Sequence, residues 1–253
     1  MPEAAAAPLL SVETVTMRFG GIVALDGLSL ALQRGELRCI LGPNGCGKTT
    51  LFNVLTGELK PTSGHIRYGG AAIGGLSPQT IARLGIGRKF QVPGIYADLS
   101  VSENLEVPLA AASRKPGVLS LLRSGPERRK LRNLLAFAGL ESKAATLAGE
   151  LAHGEKQRLE IAMLLAVEAD LLLLDEPTAG MSKGETATIA DLVRRLCKDL
   201  GKTVLAIEHD MNFVRDLACP VIVMARGAVI AQGSFEEVRA DPKVIESYLG
   251  RAA

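Results

Sequence analysis

Short continuous apolar runs alternate with amphipathic stretches along most of this chain. Leu37–Leu41 and residues 169–174 and 204–208 have the length and composition expected of buried strands. Leu10–Phe19 is rich in β-branched residues and predicts a further strand. Residues 183–200 repeat apolar positions at helical spacing. Strands that alternate with helices predict an α/β fold with a mainly parallel sheet.

Turn residues divide the rest of the chain into shorter elements. Lys48–Leu55 predicts a helix that ends at Gly57. Hairpins are predicted near residues 66–73 and around the turn at 226–227, and Asp241-Pro242 predicts the start of a last helix. Between 92 and 149 the residues Ala, Leu and Arg dominate, which predicts an inserted helical lobe.

The composition restricts the possible classes of function. Hydrophobic residues make up 47% and charged residues 22% of the 253 residues, as in an ordinary packed globular protein. The net charge of +2 argues against a dedicated nucleic-acid binder, which usually carries a concentrated basic face. Mean hydropathy is +0.22, yet no apolar run approaches the roughly 20 residues that a membrane-spanning helix needs. We therefore expect a soluble protein.

The cysteines and the first residues indicate the compartment. The four cysteines form no CxxC pair, which favours reduced thiols in a cytosolic protein. The N-terminal residues lack the basic start of a secretion signal, and we expect a frayed tail there.

Residues 42–50, GPNGCGKTT, match the P-loop pattern between a predicted strand and a predicted helix. The glycines let backbone N–H groups converge on phosphate oxygens, and the helix N-terminus adds a favourable field. We expect Lys48 to reach the β- and γ-phosphates and Thr49 to place its hydroxyl on Mg²⁺. The residues predicted to bind ATP here are Gly42, Pro43, Asn44, Gly45, Cys46, Gly47, Lys48, Thr49 and Thr50.

Two adjacent carboxylates follow a run of four leucines. Asp175 ends a predicted buried strand beside the P-loop and is expected to hold Mg²⁺ through a water molecule. Glu176 is expected to orient or deprotonate the attacking water. The alternative is that Asp175-Glu176-Pro177 is only a helix-start signal, and the presence of the P-loop disfavours it.

These motifs, with four further matches in the family's order, resemble the ABC-type ATPases over nearly the whole chain. Phe19 stands where the family has an aromatic residue that stacks on adenine. Gln91 matches the glutamine that senses Mg²⁺ and the transmembrane partner, and His209 matches the switch histidine that contacts the γ-phosphate. The signature motif is matched by Leu151, Ala152, His153, Gly154 and Glu155.

The resemblance implies a P-loop NTPase fold of the ABC ATPase type, with a RecA-like core, an antiparallel β subdomain and an inserted helical subdomain. Residues 8–253 would form one domain, with the core and β subdomain in 8–91 and 159–253 and the helical subdomain in 92–158. The implied cofactors are ATP and Mg²⁺. The implied catalytic residues are Glu176, His209, Lys48 and Gln91, and the implied metal site is Thr49, Gln91 and Asp175.

The resemblance also implies partners. Two ATPase subunits, paralogues or identical copies, would face head to tail, with each ATP between the P-loop of one and the signature helix of the other. Gly154 should then present its N–H group outward rather than lie buried in its own fold. Transmembrane permease subunits would bind the pair on the cytoplasmic face of the membrane, and a periplasmic solute-binding protein would act indirectly. No nucleic-acid partner is expected.

The signature departs from the common form LSGGQ. Ala152 replaces a serine, His153 a glycine and Glu155 a glutamine. Ser182 stands where the family usually has an aspartate. These departures could slow hydrolysis at the facing site.

Similar departures are typical of the ATPases of branched-chain amino-acid, amide and urea importers. The C-terminal residues 235–250 also resemble that branch. Residues 88–93, RKFQVP, and 151–157, LAHGEKQ, are most similar to the urea-importer ATPase. We therefore expect import of urea, with branched-chain amino acids or short-chain amides as the alternative.

Three other functions remain open from the sequence. A non-transport ABC ATPase would usually carry two cassettes or long coiled-coil inserts, and neither is present. A P-loop kinase or GTPase would leave the signature region unexplained. A regulatory module that binds ATP without hydrolysing it is favoured by Ala152 and Ser182 but disfavoured by Glu176 and His209.

Overall fold

The computed structural model describes residues 7–89, 94–112 and 125–249. Ten strands lie in these ranges: β1 (Leu10–Phe19), β2 (Ile22–Leu32), β3 (Leu37–Leu41), β4 (Ser63–Tyr68), β5 (Ala71–Ala72), β6 (Ile86–Lys89), β7 (Leu171–Asp175), β8 (Thr203–Ile207), β9 (Val221–Ala225) and β10 (Ala228–Gly233).

The α-helices of the same ranges are α1 (Lys48–Leu55), α2 (Pro78–Arg83), α3 (Val101–Ala112), α4 (Gly125–Ala138), α5 (His153–Ala166), α6 (Lys183–Lys198), α7 (Met211–Leu217), α8 (Phe235–Ala240) and α9 (Pro242–Leu249).

A six-stranded sheet forms the centre of the molecule, in the order β10-β9-β3-β8-β7-β6. Its neighbouring pairs are parallel from β9 to β6, and β10 joins the edge antiparallel to β9. Every residue of β7 and β8 is buried, as expected for parallel strands covered on both faces. Because the strands are parallel, the carboxyl ends of β3 and β7 meet at one edge, where β3 leads into residues 42–47 and β7 ends at Asp175.

Alternate residues of β7 enter two different hydrophobic cores. Leu171 and Leu173 pack into the core that contains Phe52 of α1, and Leu172 and Leu174 pack into the core that contains Val193 of α6. Because successive side chains of a strand point to opposite faces, β7 packs against α1 on one face of the sheet and against α6 and α7 on the other.

A second sheet, antiparallel in the order β2-β1-β4-β5, packs on the core that contains α1. Apolar residues of β2 alternate inward, and its buried members include Leu28, Leu30 and Leu32. Strand β2 was not predicted from the sequence, because Asp26 and Gly27 interrupt its apolar pattern.

Helices α3, α4 and α5 enclose a third core, which includes Val101, Leu135 and Leu159. Helix α5 also contributes Ile161 to the core around α6, so it belongs to both the helical region and the central sheet. The predicted boundary between residues 158 and 159 therefore falls within a continuous helix. The subdomain boundaries remain a prediction.

Most elements predicted from the sequence are confirmed within one to three residues, including β1, β3, α1, β7, α6 and the hairpin of β9 and β10. The α/β class and the parallel sheet are also confirmed. Among the described residues, no helix has the length and apolar character that crossing a membrane would require.

Candidate active site

The P-loop turns sharply from β3 into α1, and two of its glycines approach other backbone closely. Gly47 has φ 105°, a conformation that L side chains rarely adopt. A Cβ atom on Gly47 would overlap the carbonyl oxygen of Ala24, and one on Gly42 would overlap that of Met224. Both positions therefore require glycine.

A turn distant in sequence supports the loop. Between β9 and β10, Gly227 N–H donates to the carbonyl of Cys46 at 3.0 Å. The carbonyl of Gly227 accepts from Asp26 N–H of β2 at 2.9 Å. The β9–β10 turn thus connects the P-loop to the antiparallel sheet.

Lys48 is buried in the loop that it follows. Its Nζ donates to the carbonyls of Gly42, at 2.6 Å, and Pro43, at 3.2 Å. Both acceptors are neutral, so no carboxylate competes in these two hydrogen bonds with an anionic ligand for the Lys48 ammonium.

A cleft of about 690 Å³ lies over the loop. It brings together most of the predicted P-loop residues with two predicted catalytic residues from other elements, Glu176 and His209. The full lining is Ile22, Val23, Ala24, Gly42, Pro43, Asn44, Gly45, Gly47, Lys48, Thr49, Thr50, Glu176 and His209.

Two predicted ATP-binding residues do not line this cleft. Cys46 is buried and faces a neighbouring cavity with Arg226 and Lys243. Phe19 is 45% exposed at the end of β1, and the cleft is lined instead by Ile22, its hairpin partner, which is 71% exposed. An exposed apolar side chain beside the cleft suits a flat, apolar base.

Glu176 occupies a strained conformation. Its φ is 45°, in the left-handed region that non-glycine residues rarely adopt, and its N–H donates to the Ile207 carbonyl at 3.0 Å. Its Oε1 lies 3.4 Å from Nδ1 of His209. The two predicted catalytic side chains therefore face each other across the ends of neighbouring strands.

Asp175 is buried and paired with a cation that the sequence did not assign to the site. Oδ2 of Asp175 accepts from Nη2 of Arg88 at 2.8 Å, and the two side chains are only 7% and 6% exposed. Arg88 also donates to Oδ1 of Asn53 at 2.5 Å and lies over the ring of Phe52. A single arginine in β6 gives no pattern in sequence that would reveal this role.

Glu208, which precedes His209, is a second buried carboxylate that sequence reasoning missed. It accepts from the N–H of Thr178 at 3.1 Å and from its hydroxyl at 2.7 Å. Burial raises the pKa of Glu208, and the hydrogen bonds from Thr178 oppose that shift. This carboxylate connects the residues after β7 to those after β8. Its only signal in the sequence is a charge at the end of an apolar run.

The signature residues begin α5, away from the cleft of their own chain. Glu155 accepts from the N–H of Ala152 at 3.0 Å and pairs with Lys143 at 2.6 Å. Burial would raise the pKa of Glu155, but Lys143 and this N–H group lower it overall. The glutamate that replaces the usual glutamine thus caps the helix start. Leu151 is buried in the third core.

The prediction that Gly154 presents its N–H group outward is wrong for this structure. Gly154 is buried, because Glu185 lies over it, and a Cβ atom on Gly154 would be 3.1 Å from Oε1 of Glu185. Ser182 holds that carboxylate through its N–H and hydroxyl at 3.0 and 2.7 Å. These two groups lower the pKa of Glu185, with a smaller effect from the Gly154 N–H.

His153, also in the signature, contacts the loop after β7. Its Nε2 lies 3.0 Å from the carbonyl of Ala179. The signature and this loop are therefore in direct contact within one chain.

The metal site can be tested only in part. Gln91 lies outside the described residues. Within them, no group of three or more His, Cys, Asp and Glu side chains is arranged to hold a metal ion by itself. Thr49 supplies a hydroxyl in the cleft and Asp175 a carboxylate at the adjoining strand end, and such oxygen donors suit Mg²⁺ that is also bound by phosphates.

A glycine-rich loop between a strand and a helix, with a lysine, a hydroxyl and the carboxylate of Glu176 around one cleft and Asp175 at the adjoining strand end, defines a P-loop ATPase. The family described as "ABC transporter" matches residues 25–179. A second family, described as "Branched-chain amino acid ATP-binding cassette transporter", matches residues 228–253.

Curated relatives match the whole chain. The high-affinity branched-chain amino acid transport ATP-binding protein BraF of Pseudomonas aeruginosa is 38% identical, over 97% of this chain and 99% of that protein. The corresponding protein LivG of Escherichia coli is 39% identical, over 97% of this chain and 99% of that protein. The chain therefore belongs to the ABC transporter ATP-binding family, and it is an ATPase that couples hydrolysis to transport.

Solved structures of ATP-binding cassettes have the same fold as this chain. A nucleotide-free ATP-binding cassette from an ABC transporter superposes with a TM-score of 0.84 at 32% identity, over 96% of this chain and 99% of that chain. A dimeric cassette in a post-hydrolysis state, bound to ADP and Pi, has a TM-score of 0.76 at 28% identity, over 89% of this chain and 98% of that chain. The predicted ABC ATPase fold is confirmed.

Proposed function

We propose that this chain is the ATP-hydrolysing subunit of an importer of branched-chain amino acids. The observation that carries the proposal is the similarity to BraF and LivG along the whole chain, together with the branched-chain family match at residues 228–253. The sequence favoured urea and placed branched-chain amino acids second. The comparisons support the second choice better.

The positions that favoured urea are poor reporters of the solute. Lys89 is completely buried against Glu160 of α5, and His153 contacts Ala179. Both side chains act inside the ATPase, whereas the solute is selected by the binding protein and the permease. Urea and short-chain amides are therefore kept as alternatives in the test below.

We assign the nucleotide chemistry to the residues around the cleft. Backbone N–H groups of residues 42–47 and the Lys48 ammonium bind the phosphates. Thr49 and Asp175, with Gln91, would hold Mg²⁺, which when bound neutralises phosphate charge. Glu176 orients and deprotonates the attacking water, and His209 contacts the γ-phosphate. The strained backbone and the His209 contact fix the position of Glu176 before the nucleotide binds.

We assign completion of the site to a second ATPase subunit, a paralogue or another copy of this chain. In the described residues the signature motif lies outside the cleft of its own chain, which supports a role toward the nucleotide of a facing chain. Glu185 has to move from Gly154 before that N–H group can meet a phosphate. The assembled pair would bind permease subunits at the cytoplasmic face, and a periplasmic solute-binding protein would deliver the solute.

The test is an ATPase assay on the reconstituted transporter with its binding protein. Leucine, isoleucine or valine should stimulate phosphate release, whereas urea and acetamide should not. Stimulation by urea alone would contradict the assignment of the solute. Glu176→Gln should retain ATP binding and release phosphate at least about tenfold more slowly. Ordinary turnover of that variant would reject Glu176 as the base.

A further inference from the structure

Two buried thiols lie in contact within the sheet that leads into the P-loop. Sγ of Cys39, in β3, is 3.5 Å from Sγ of Cys219, which precedes β9. The Cys39 residue is 0% exposed and Cys219 is 7% exposed, and both side chains are thiols. The N–H of Cys39 donates to the carbonyl of Pro220 at 3.1 Å, so the two backbones are adjacent where the thiols meet. The parallel pairing of β3 with β9 thus brings together two sulfurs that are 180 positions apart in sequence.

The contact makes the two thiols unequal. Their hydrogen bond lowers the pKa of Cys219 and raises the pKa of Cys39. Burial opposes the shift at Cys219 and adds to the shift at Cys39, while the positive charge of Arg38 further lowers the pKa of Cys219. The thiolate, rather than the thiol, is the nucleophile toward an oxidant. Cys219 therefore has both the more reactive and the more accessible sulfur of the pair.

The strands on both sides of this contact shape the start of the P-loop. Strand β3 continues from Cys39 through Leu41 directly into Gly42. In β9, the carbonyl of Met224 lies so close to Gly42 that a Cβ atom on this glycine would overlap it. Closely packed interiors contain little free space, so a shift of either strand is passed on to its neighbour. A change at Cys39 therefore reaches the phosphate-binding loop within a few residues.

A bond between the two sulfurs requires such a shift. The sulfur atoms have to approach from 3.5 Å to about 2 Å. The register pairs that follow the thiols are Ile40 with Ile222 and Leu41 with Val223, so a displacement of one strand against the other continues toward Met224. Because Gly42 has no room beside the Met224 carbonyl, this displacement changes the shape of the loop.

We propose that hydrogen peroxide converts Cys39 and Cys219 into a reversible disulfide and that this disulfide weakens ATP binding at the P-loop. First, the Cys219 thiolate attacks a peroxide oxygen; an S–O bond forms, the O–O bond breaks, and the departing hydroxide takes up the thiol proton to form water. Next, the Cys39 sulfur attacks the sulfenic sulfur of Cys219; the S–S bond forms, the S–O bond breaks, and a second water leaves with the Cys39 proton. Two thiols are oxidised to one disulfide, and the peroxide is reduced to two water molecules. The inference uses the ATP-binding activity of the family and does not depend on the transported solute.

The first measurement maps the disulfide in the full chain. The protein is treated with hydrogen peroxide, the remaining thiols are alkylated, and the peptides are identified by mass spectrometry without reduction. A pair of peptides joined through Cys39 and Cys219 is expected, and dithiothreitol should separate it. The absence of this pair overturns the proposal, and so does a disulfide that joins Cys219 to Cys197 of α6 instead.

The second measurement is the affinity for ATP, determined by calorimetry before oxidation, after oxidation and after dithiothreitol. Oxidation should weaken ATP binding by the parent chain about fivefold or more, and dithiothreitol should restore it. Cys219→Ala removes the attacking sulfur, so oxidation should change its ATP affinity less than about twofold. Cys197→Ala is the matched control, because it keeps both thiols of the pair and should respond to oxidation as the parent chain does.

Oxidation of Cys46, which lies in the P-loop itself, would also disturb nucleotide binding, and Cys219→Ala separates the two effects. If this variant loses as much ATP affinity on oxidation as the parent chain, the effect does not come from the disulfide and the proposal is overturned. It is equally overturned if the mapped disulfide forms and the ATP affinity of the parent chain stays the same. The mapping and the affinity of the parent chain need no variant, so the proposal can be rejected even where a variant does not fold.

Discussion

Replacing Arg88 by methionine should markedly lower the denaturant concentration at which the protein unfolds. Arg88 and Asp175 are 6% and 7% exposed, so the substitution leaves a buried carboxylate without its cation. Breaking a buried pair on one side typically costs about 3–5 kcal/mol. Methionine keeps most of the apolar contact with Phe52, so the loss should come mainly from the charge.

Urea denaturation with linear extrapolation measures this difference, provided that the slope is unchanged. Lys130→Met is the matched control, since Lys130 and Glu168 form an exposed pair at 2.6 Å that should contribute under about 1 kcal/mol. Adding Asp175→Asn to Arg88→Met should recover much of the stability, because no unpaired charge then remains. The reasoning would be refuted if Arg88→Met cost no more than the control or if the two substitutions were additive.

Three further outcomes are expected. Lys48→Ala should lose at least about tenfold in ATP affinity by calorimetry, because the ammonium in the loop is removed; unchanged affinity would contradict its phosphate role. Glu185→Gln should lower the ATP concentration for half-maximal hydrolysis about threefold, since it removes a negative charge from Gly154, and an increase would contradict this account. Glu208→Gln should gain stability relative to the parent chain as the pH rises above the ordinary glutamate value of 4.5. Because the pKa of Glu208 is raised, its buried protonated form stabilises the parent chain below pH 4.5, and this stabilisation is lost when the carboxyl ionises. Urea midpoints at pH 4.5 and pH 8 measure the difference in stability between Glu208→Gln and the parent chain. A difference that is the same at both pH values would argue against the raised pKa.

The parts of the fold that could be predicted are those in which burial dictates composition. The first four residues of the strand Leu171–Asp175 are all leucine because both faces of the sheet are covered, so this apolar run alone predicts a buried strand. The P-loop is equally recognisable, since Gly42 and Gly47 have no room for a Cβ atom. Strand β2 was not predicted because Asp26 and Gly27 interrupt its alternation of apolar and polar residues.

Pairings between distant residues could not be predicted. The contacts of Arg88 with Asp175 and of Glu160 with Lys89 join residues far apart in sequence, and neither partner carries a local pattern. The covering of Gly154 by Glu185 is similar, because it depends on how α5 meets α6. The resemblance to urea importers carries little information about the solute, since Lys89 and His153 contact other residues of this chain.

Because the P-loop accepts and relays hydrogen bonds through Gly227, the nucleotide site can be completed only late in folding. The P-loop lies in the first fifth of the chain, but the groups that hold its shape arrive only with the last strands. A ribosome-bound fragment that ends before β9 would contain every P-loop residue and still lack a formed phosphate cradle. Nucleotide binding can therefore stabilise only a nearly complete chain. ATP added during refolding should protect the protein from proteolysis only after the hairpin of β9 and β10 has packed against the P-loop.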